Sequence, residues 1–140
     1  MNNLKINHLA VLVCVVIMHA LGFLWYGQLF KDQWMKLVGI DEAAIQANPP
    51  SNSVWVLNFI AVVAPLYMLA WLFTKLNVIS GLRGASIAFL ITFCFHHLSV
   101  MNNNMFAGAP YGLAWIVGGY SLVAMTISGF ILGTWTKRAE

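Results

Sequence analysis

Three histidines in apolar stretches are the residues of this chain best able to do chemistry. Counted from Asn7, His19 lies 12 residues along its stretch; counted from Gly84, His96 and His97 lie 12 and 13 residues along theirs. At the 1.5 Å rise of an α-helix, all three lie ~18–20 Å from the start of a helix. Imidazole is ionisable and binds metals, so three rings at similar depth in apolar helices indicate a functional site.

Other polar side chains extend this pattern. At α-helical spacing, four polar residues form one stripe, and His97 lies about 100° away from it. That stripe consists of Thr92, His96, Ser99 and Asn103. Tyr26 lies near the end of the first apolar stretch and Asn58 near the start of the second. Both are therefore expected near the membrane surface toward which the stripe runs. Together these residues predict a polar-lined cavity that is floored by His19 and His96 and opens toward one membrane surface.

Three interpretations fit these side chains. Imidazole, amide and hydroxyl groups can bind or pass a small polar solute, whose identity the residue types do not reveal. Alternatively, His19 and His96 could ligate haem iron or a transition metal from facing helices. In the third interpretation they only join helices, and the protein is a structural or assembly subunit without a ligand site. Because no carboxylate accompanies the histidines, we expect no bound cofactor and favour solute binding over catalysis.

The composition places these residues in a membrane. The 140-residue chain is 61% hydrophobic and 8% charged, with a mean hydropathy of +0.80. A soluble domain carries about 25% charged residues, which it needs to cover its core. A soluble enzyme, a disordered chain and a nucleic-acid-binding protein are therefore excluded, and membrane lipid is the expected surrounding. The net charge of +3 is explained by membrane topology rather than by nucleic acid.

Charged and turn-forming residues divide the chain into four spanning helices. A spanning helix needs about 20 apolar residues, and the run between Arg83 and Lys137 is long enough for two. Asn and Gly residues with Pro110 predict a break within that run. The predicted spans are 7–29, 53–76, 84–102 and 111–135, forming a single all-α transmembrane domain over residues 1–140. The first run continues into Trp25 without a small-x-small motif, so we expect an uncleaved helix rather than a signal peptide.

The segment between the first and second spans has an amphipathic pattern. Four apolar residues recur at helical spacing among charged ones, which predicts a helix lying at the membrane interface. They are Phe30, Trp34, Leu37 and Val38. Gly39 is expected to end this helix, and Asp41 to cap a second short one over 43–47.

The distribution of cations predicts the orientation. Four spans place both chain ends on one side of the membrane, together with five of the seven Lys and Arg residues. Those five are Lys5, Lys75, Arg83, Lys137 and Arg138. Because an excess of Lys and Arg marks the cytoplasmic side, we expect both termini in the cytoplasm.

Small residues in the fourth span predict close helix packing. They include Gly118, Ser121, Gly129 and Gly133. Small side chains let helix backbones approach closely in lipid, either within one chain or between copies. Because four helices enclose little space, we expect a homo-oligomer.

Several blocks of residues carry a family resemblance. They are Gly22-Phe-Leu-Trp25-Tyr26, Phe30-Lys31-x-x-Trp34-Met35-Lys36-x-x-Gly39, Asn104-Met-Phe106, Gly119-Tyr120-Ser-Leu and Gly129-x-x-x-Gly133-x-Trp135. In these the chain resembles a bacterial membrane protein family labelled domain of unknown function 1761. It departs from the family at Gly27-Gln28, where a small residue and a proline are usual. The resemblance implies a multi-pass protein of the bacterial inner membrane and implies no particular activity.

Overall fold

The computed structural model describes residues 4–138, which are almost entirely helical. The α-helices are α1 (His8–Leu24), α2 (Lys31–Val38), α3 (Glu42–Ala47), α4 (Asn52–Lys75), α5 (Gly81–Ile91), α6 (Leu98–Ala107) and α7 (Tyr111–Thr134). One π-helical turn, Trp25–Leu29, extends α1, and another, Thr92–His97, joins α5 to α6. Four helical stretches are long and apolar enough to cross a membrane: His8–Leu29, Asn52–Lys75, Gly81–Ala107 and Tyr111–Thr134. The predicted all-α membrane protein with four spans is thus confirmed.

The third span is longer than predicted at both ends. It begins at Gly81 instead of residue 84 and runs through the asparagines to Ala107 instead of ending at 102. The prediction took the asparagines for the start of a turn, but the helix ends only where Gly108 adopts a left-handed conformation, with a φ of 65°. A left-handed glycine followed closely by Pro110 is a strong helix terminator, whereas asparagines inside a helix are tolerated.

The amphipathic segment forms the two short helices that were predicted. α2 ends at Gly39, whose φ of 77° is left-handed, and the Asp41 side chain accepts a hydrogen bond of 2.7 Å from the Ala44 backbone N–H at the start of α3. Lys31 at the beginning of α2 forms an ion pair with Glu42 at the beginning of α3. The two helices are therefore tied to each other in the segment between the first and second spans.

α7 lies at the centre of the bundle and packs against α1, α2, α4, α5 and α6. Its closest approach is to α5, where the backbones of Gly84 and Gly129 touch. A Cβ atom on either glycine would meet the backbone of the other, and one on Gly133 would meet the Ser80 carbonyl. Within this chain, Gly129 and Gly133 thus serve the contact between α5 and α7.

The buried core lies toward the side of the chain ends. α1 contributes one apolar face, which includes Val11, Cys14 and Met18. The buried residues of α4 begin at Leu66, and Val62 and Val63 pack against the core half-buried, whereas residues 52–61 are exposed. The part of α4 from Val62 onward therefore holds the helix in the bundle, and residues 52–61 have a free surface within the described chain.

The two ends of the described chain meet in a short antiparallel strand pair. β1 (Leu4–Lys5) pairs with β2 (Lys137–Arg138), with Leu4 opposite Arg138 and Lys5 opposite Lys137. The Asn7 side chain, which caps α1, also donates a hydrogen bond of 3.1 Å to the Trp135 carbonyl. Both ends of the described chain thus lie on the same side of the bundle.

Candidate intramembrane site

The π-helical turn at Thr92–His97 changes which polar residues share a face. The buried positions on the third span are Gly81, Gly84, Ala88, Thr92 and His97. Thr92 and His97 are five residues apart, which is the spacing of the hydrogen bonds in a π-helix, whereas the α-helical prediction paired Thr92 with His96. The predicted stripe is therefore wrong at Thr92, which is buried while His96, Ser99 and Asn103 are exposed.

His96 forms a polar pair with the central helix. Its Nε2 atom lies 3.0 Å from the Ser121 hydroxyl oxygen, and the same hydroxyl lies 3.5 Å from the Val117 carbonyl. Ser121 is about 15 Å from one end of α7 and about 20 Å from the other, so this pair lies near the middle of the membrane. Ser99 and Asn103 continue from His96 toward the end of the third span and are exposed. We call His96, Ser99, Asn103 and Ser121 the polar column.

The structure does not join His19 to this column. The His19 ring is exposed, its Nδ1 atom lies 2.8 Å from the Val15 carbonyl, and its aromatic neighbour is Phe59 at a centroid distance of 6.1 Å. Asn58, beside Phe59 on α4, is also exposed. Counted from the observed helix starts, His96 lies about 6 Å farther along its span than His19, so the predicted equal depth is not found.

His97 is the histidine that the fold buries. Its ring is 0% exposed and packs between Phe93, at a centroid distance of 5.5 Å, and Trp115, at 4.7 Å. The Nδ1 atom faces Gly118, where a Cβ atom would collide with it. Neither ring nitrogen has a hydrogen-bond partner among the described residues. An unpaired buried imidazole is costly, and it requires an explanation by function or by an unseen partner.

Tyr26 belongs to an aromatic cluster rather than to the polar column. Its ring contacts Tyr120 at 5.5 Å and Trp34 of α2 at 5.7 Å, measured between centroids. The Tyr120 hydroxyl donates a hydrogen bond of 2.9 Å to the Met18 carbonyl. This cluster fixes the end of the first span and α2 against α7.

Metal ligation has little support from the side chains that the structure describes. Within residues 4–138, no three His, Cys, Asp or Glu side chains converge where they could hold a metal ion. The His19 ring has its neighbours on α1 and α4, and the His96 ring is paired with α7, so the two rings are not in contact. The haem or metal alternative stays a prediction from the sequence.

A groove of about 700 Å³, which the sequence pattern did not predict, lies between α2 and α7. Its floor is one face of α7, and its apolar walls include Trp25, Phe30, Leu37 and Phe89. The α7 residues that line this floor are Gly112, Trp115, Ile116, Gly119, Leu122 and Val123. Gln33 and Lys36 of α2 lie at its polar rim. The amphipathic pattern of α2 was the signal for this site, because it placed an apolar helix face and a lysine over a spanning helix.

Comparison with known proteins gives a family and no activity. The model of a family described as "Protein of unknown function (DUF1761)" matches residues 9–133. No curated protein and no solved structure matches the chain. The family match covers nearly the whole of the four-helix bundle described above, including both π-helical turns. The chain therefore belongs to the DUF1761 family of proteins of unknown function.

Proposed function

We propose that this protein is a homo-oligomer that binds or passes a small polar solute along the polar column, at a surface between two copies. The observation that carries the proposal is the His96–Ser121 pair in the middle of two spanning helices, in which His96 is exposed and Ser121 is half-buried. In a single chain this pair would face lipid. Ionisable and polar side chains within a membrane almost always face protein or water instead.

A second copy is the covering partner that needs the fewest assumptions. Imidazole, hydroxyl and amide groups each donate and accept hydrogen bonds, so two copies of the polar column are complementary to each other. Most homo-oligomers use such a self-complementary surface around a two-fold axis. Two columns facing each other would line one path from the membrane centre to the surface opposite the chain ends.

The orientation is part of the proposal. The five cations named above for the side of the chain ends favour placing those ends in the cytoplasm of a bacterial inner membrane. The polar column would then open toward the outer surface. A C-terminal alkaline phosphatase fusion is expected to be inactive, and one inserted at Asn48 in the loop after α3 to be active; the reverse pattern would contradict this orientation.

Flux through proteoliposomes tests the proposal. We expect the purified protein to raise the permeability of vesicles to glycerol or urea, measured by stopped-flow light scattering. Replacing both column residues, His96→Ala with Ser121→Ala, should lower that permeability toward the level of protein-free vesicles.

The matched control is Ser86→Ala. Ser86 is an exposed serine of the third span that bonds to the Leu82 carbonyl at 2.9 Å and lies outside the polar column. This variant should keep the permeability of the unaltered protein. Equal permeability of the column variant and the control, or no permeability above protein-free vesicles for either solute, would contradict passage of solute along the column.

A further inference from the structure

We propose that the groove between α2 and α7 is a binding site for one acyl chain of an anionic phospholipid, with the lipid phosphate at Lys36. This inference is independent of the polar column, because no column residue lines the groove. The ligand would come from the leaflet opposite the chain ends.

The dimensions of the groove fit one leaflet. Its floor on α7 extends from Gly112 to Val123, about 16 Å at the rise of an α-helix. Half of the ~30 Å hydrocarbon core of a bilayer is about the same length. A tail in the groove would therefore lie parallel to α7 with its polar end at the interface, where α2 lies.

The walls of the groove are held open by specific contacts. The Trp25 indole N–H donates a hydrogen bond of 3.0 Å to the Ile116 carbonyl, which fixes the ring at the edge of the groove. Gly119 lies beneath that ring, and a Cβ atom there would be 3.4 Å from it. Phe89 of α5 forms part of the opposite wall and is 42% exposed. The space is thus bounded by positioned aromatic rings.

The rim of the groove supplies the charge that selects the ligand. In lipid surroundings an apolar groove gains little from the hydrophobic effect, because the bilayer is as apolar as the groove. Packing against the walls and attraction at the head group must then supply the affinity. Lys36 and Gln33 are both exposed at the rim, and a lysine near the membrane surface attracts anionic lipid.

The residues that carry the family resemblance meet at this groove. Trp25, Phe30 and Lys36 belong to the blocks around the first span and α2. Gly119 and Leu122 belong to the block in α7, about 90 residues later. The fold brings these five residues together around one space, and none of them belongs to the polar column.

Lipid retention in native mass spectrometry tests the inference. Detergent-solubilised protein is mixed with equal amounts of phosphatidylglycerol and phosphatidylcholine, and we expect one phosphatidylglycerol to be retained per chain. Lys36→Ala should weaken retention of phosphatidylglycerol about fivefold, which is the loss expected when the attraction between one lysine and an anionic lipid is removed. Lys31→Ala is the matched control, since Lys31 lies on the same helix but pairs with Glu42 outside the groove.

A second variant tests the apolar part of the site. Val123→Trp places a bulky ring at the deep end of the groove, where Val123 is 39% exposed, so the fold can accept it. It should abolish retention of the lipid. Unchanged retention in Val123→Trp, equal retention of both lipids, or equal losses in Lys36→Ala and Lys31→Ala would each overturn the inference.

Discussion

His97 and His96 are neighbours in sequence with opposite environments. His97 is buried between Phe93 and Trp115 with both ring nitrogens unpaired among the described residues, while His96 is exposed and paired with Ser121. Two successive residues on a helix point about 100° apart, so one of them had to leave the protein interior. The α-helical period assigned the interior to His96, but one extra residue in the π-helical turn gave it to His97. His97 is thus the imidazole available inside the bundle, and His96 is the one available on its surface.

The cost of the buried imidazole can be measured. Replacing His97 by leucine removes two unpaired buried nitrogens and should raise the free energy of unfolding by about 1–3 kcal/mol. Thermal unfolding in detergent measures the change. His96→Leu is the control, because it removes a paired ring and should give no such gain. A loss of stability in His97→Leu would mean that the ring nitrogens have a bonded partner in the membrane.

The number and position of the spans were predictable, but the π-helical turns were not. Charge-free length fixes how many helices cross the membrane, and Gly39 and Asp41 mark the limits of α2 and α3 through local backbone chemistry. A π-helical turn has no comparable local signal. The turn at Thr92–His97 is stabilised by contacts of His97 with Trp115 and Gly118 on α7, which are 18 or more residues away. The presence of polar residues in the third span was therefore predictable, but which of them face the bundle interior was not.

Deleting one residue tests the role of the turn at Thr92–His97. Without Phe95, which is 79% exposed, Thr92 and His97 become four residues apart and can stay buried on one α-helical face. We expect the deletion variant to fold with a loss of stability of about 1–3 kcal/mol. Deleting Val123 from α7 is the control, because it rotates the rest of that continuous helix by about 100° and should prevent folding. Equal damage from both deletions, assayed by thermal unfolding, would contradict this account.

The ion pair between α2 and α3 predicts a dependence on pH. The Lys31 ammonium lowers the pKa of Glu42 below 4.5, and the Glu42 carboxylate raises the pKa of Lys31 above 10.5. The pair therefore restrains the loop fully between pH 4.5 and 10.5. This restraint is lost as pH falls through the lowered pKa of Glu42 or rises through the raised pKa of Lys31.

Hydrogen exchange of the loop checks this dependence. After correction for intrinsic rates, exchange around residues 40–44 should be slowest near neutral pH and faster at pH 3. Because both side chains are solvent-exposed, salt at pH 7 should have a similar, modest effect. In Glu42→Gln the exchange rate should no longer respond to salt. A salt response as large in this variant as in the unaltered chain would show that the pair does not restrain the loop.

For the whole molecule, α7 connects two surfaces of different chemistry. One side of it carries Ser121 of the polar column, and another forms the floor of the apolar groove. The helix is held between them by its glycine contact with α5 and by two hydrogen bonds. Trp25, in the π-helical turn after α1, donates one to the Ile116 carbonyl of α7, and Tyr120 of α7 donates the other to the Met18 carbonyl of α1. A solute path and a lipid site would thus share one rigid element, and oligomerisation through the column would leave the groove accessible from the bilayer.

Cysteine cross-linking tests the proposed contact between copies. In a chain carrying Cys14→Ala and Cys94→Ala, the Ser99→Cys variant should form disulfide-linked dimers in membranes treated with copper phenanthroline. Ile60→Cys is the control, because Ile60 is exposed and lies at the same distance from the corresponding end of α4. Dimers with Ile60→Cys and none with Ser99→Cys would place the contact elsewhere, and monomers in both cases would contradict a homo-oligomer.

The strand pair that joins the chain ends has a consequence for biogenesis. Its two strands can meet only if the chain crosses the bilayer an even number of times, so any insertion event that skips one crossing separates them. β1 precedes all four spans and β2 follows them, so the two strands can pair only after the last span has been made. The strand pair therefore distinguishes correctly inserted chains from chains that have missed one crossing, because it forms only when the number of completed crossings is even.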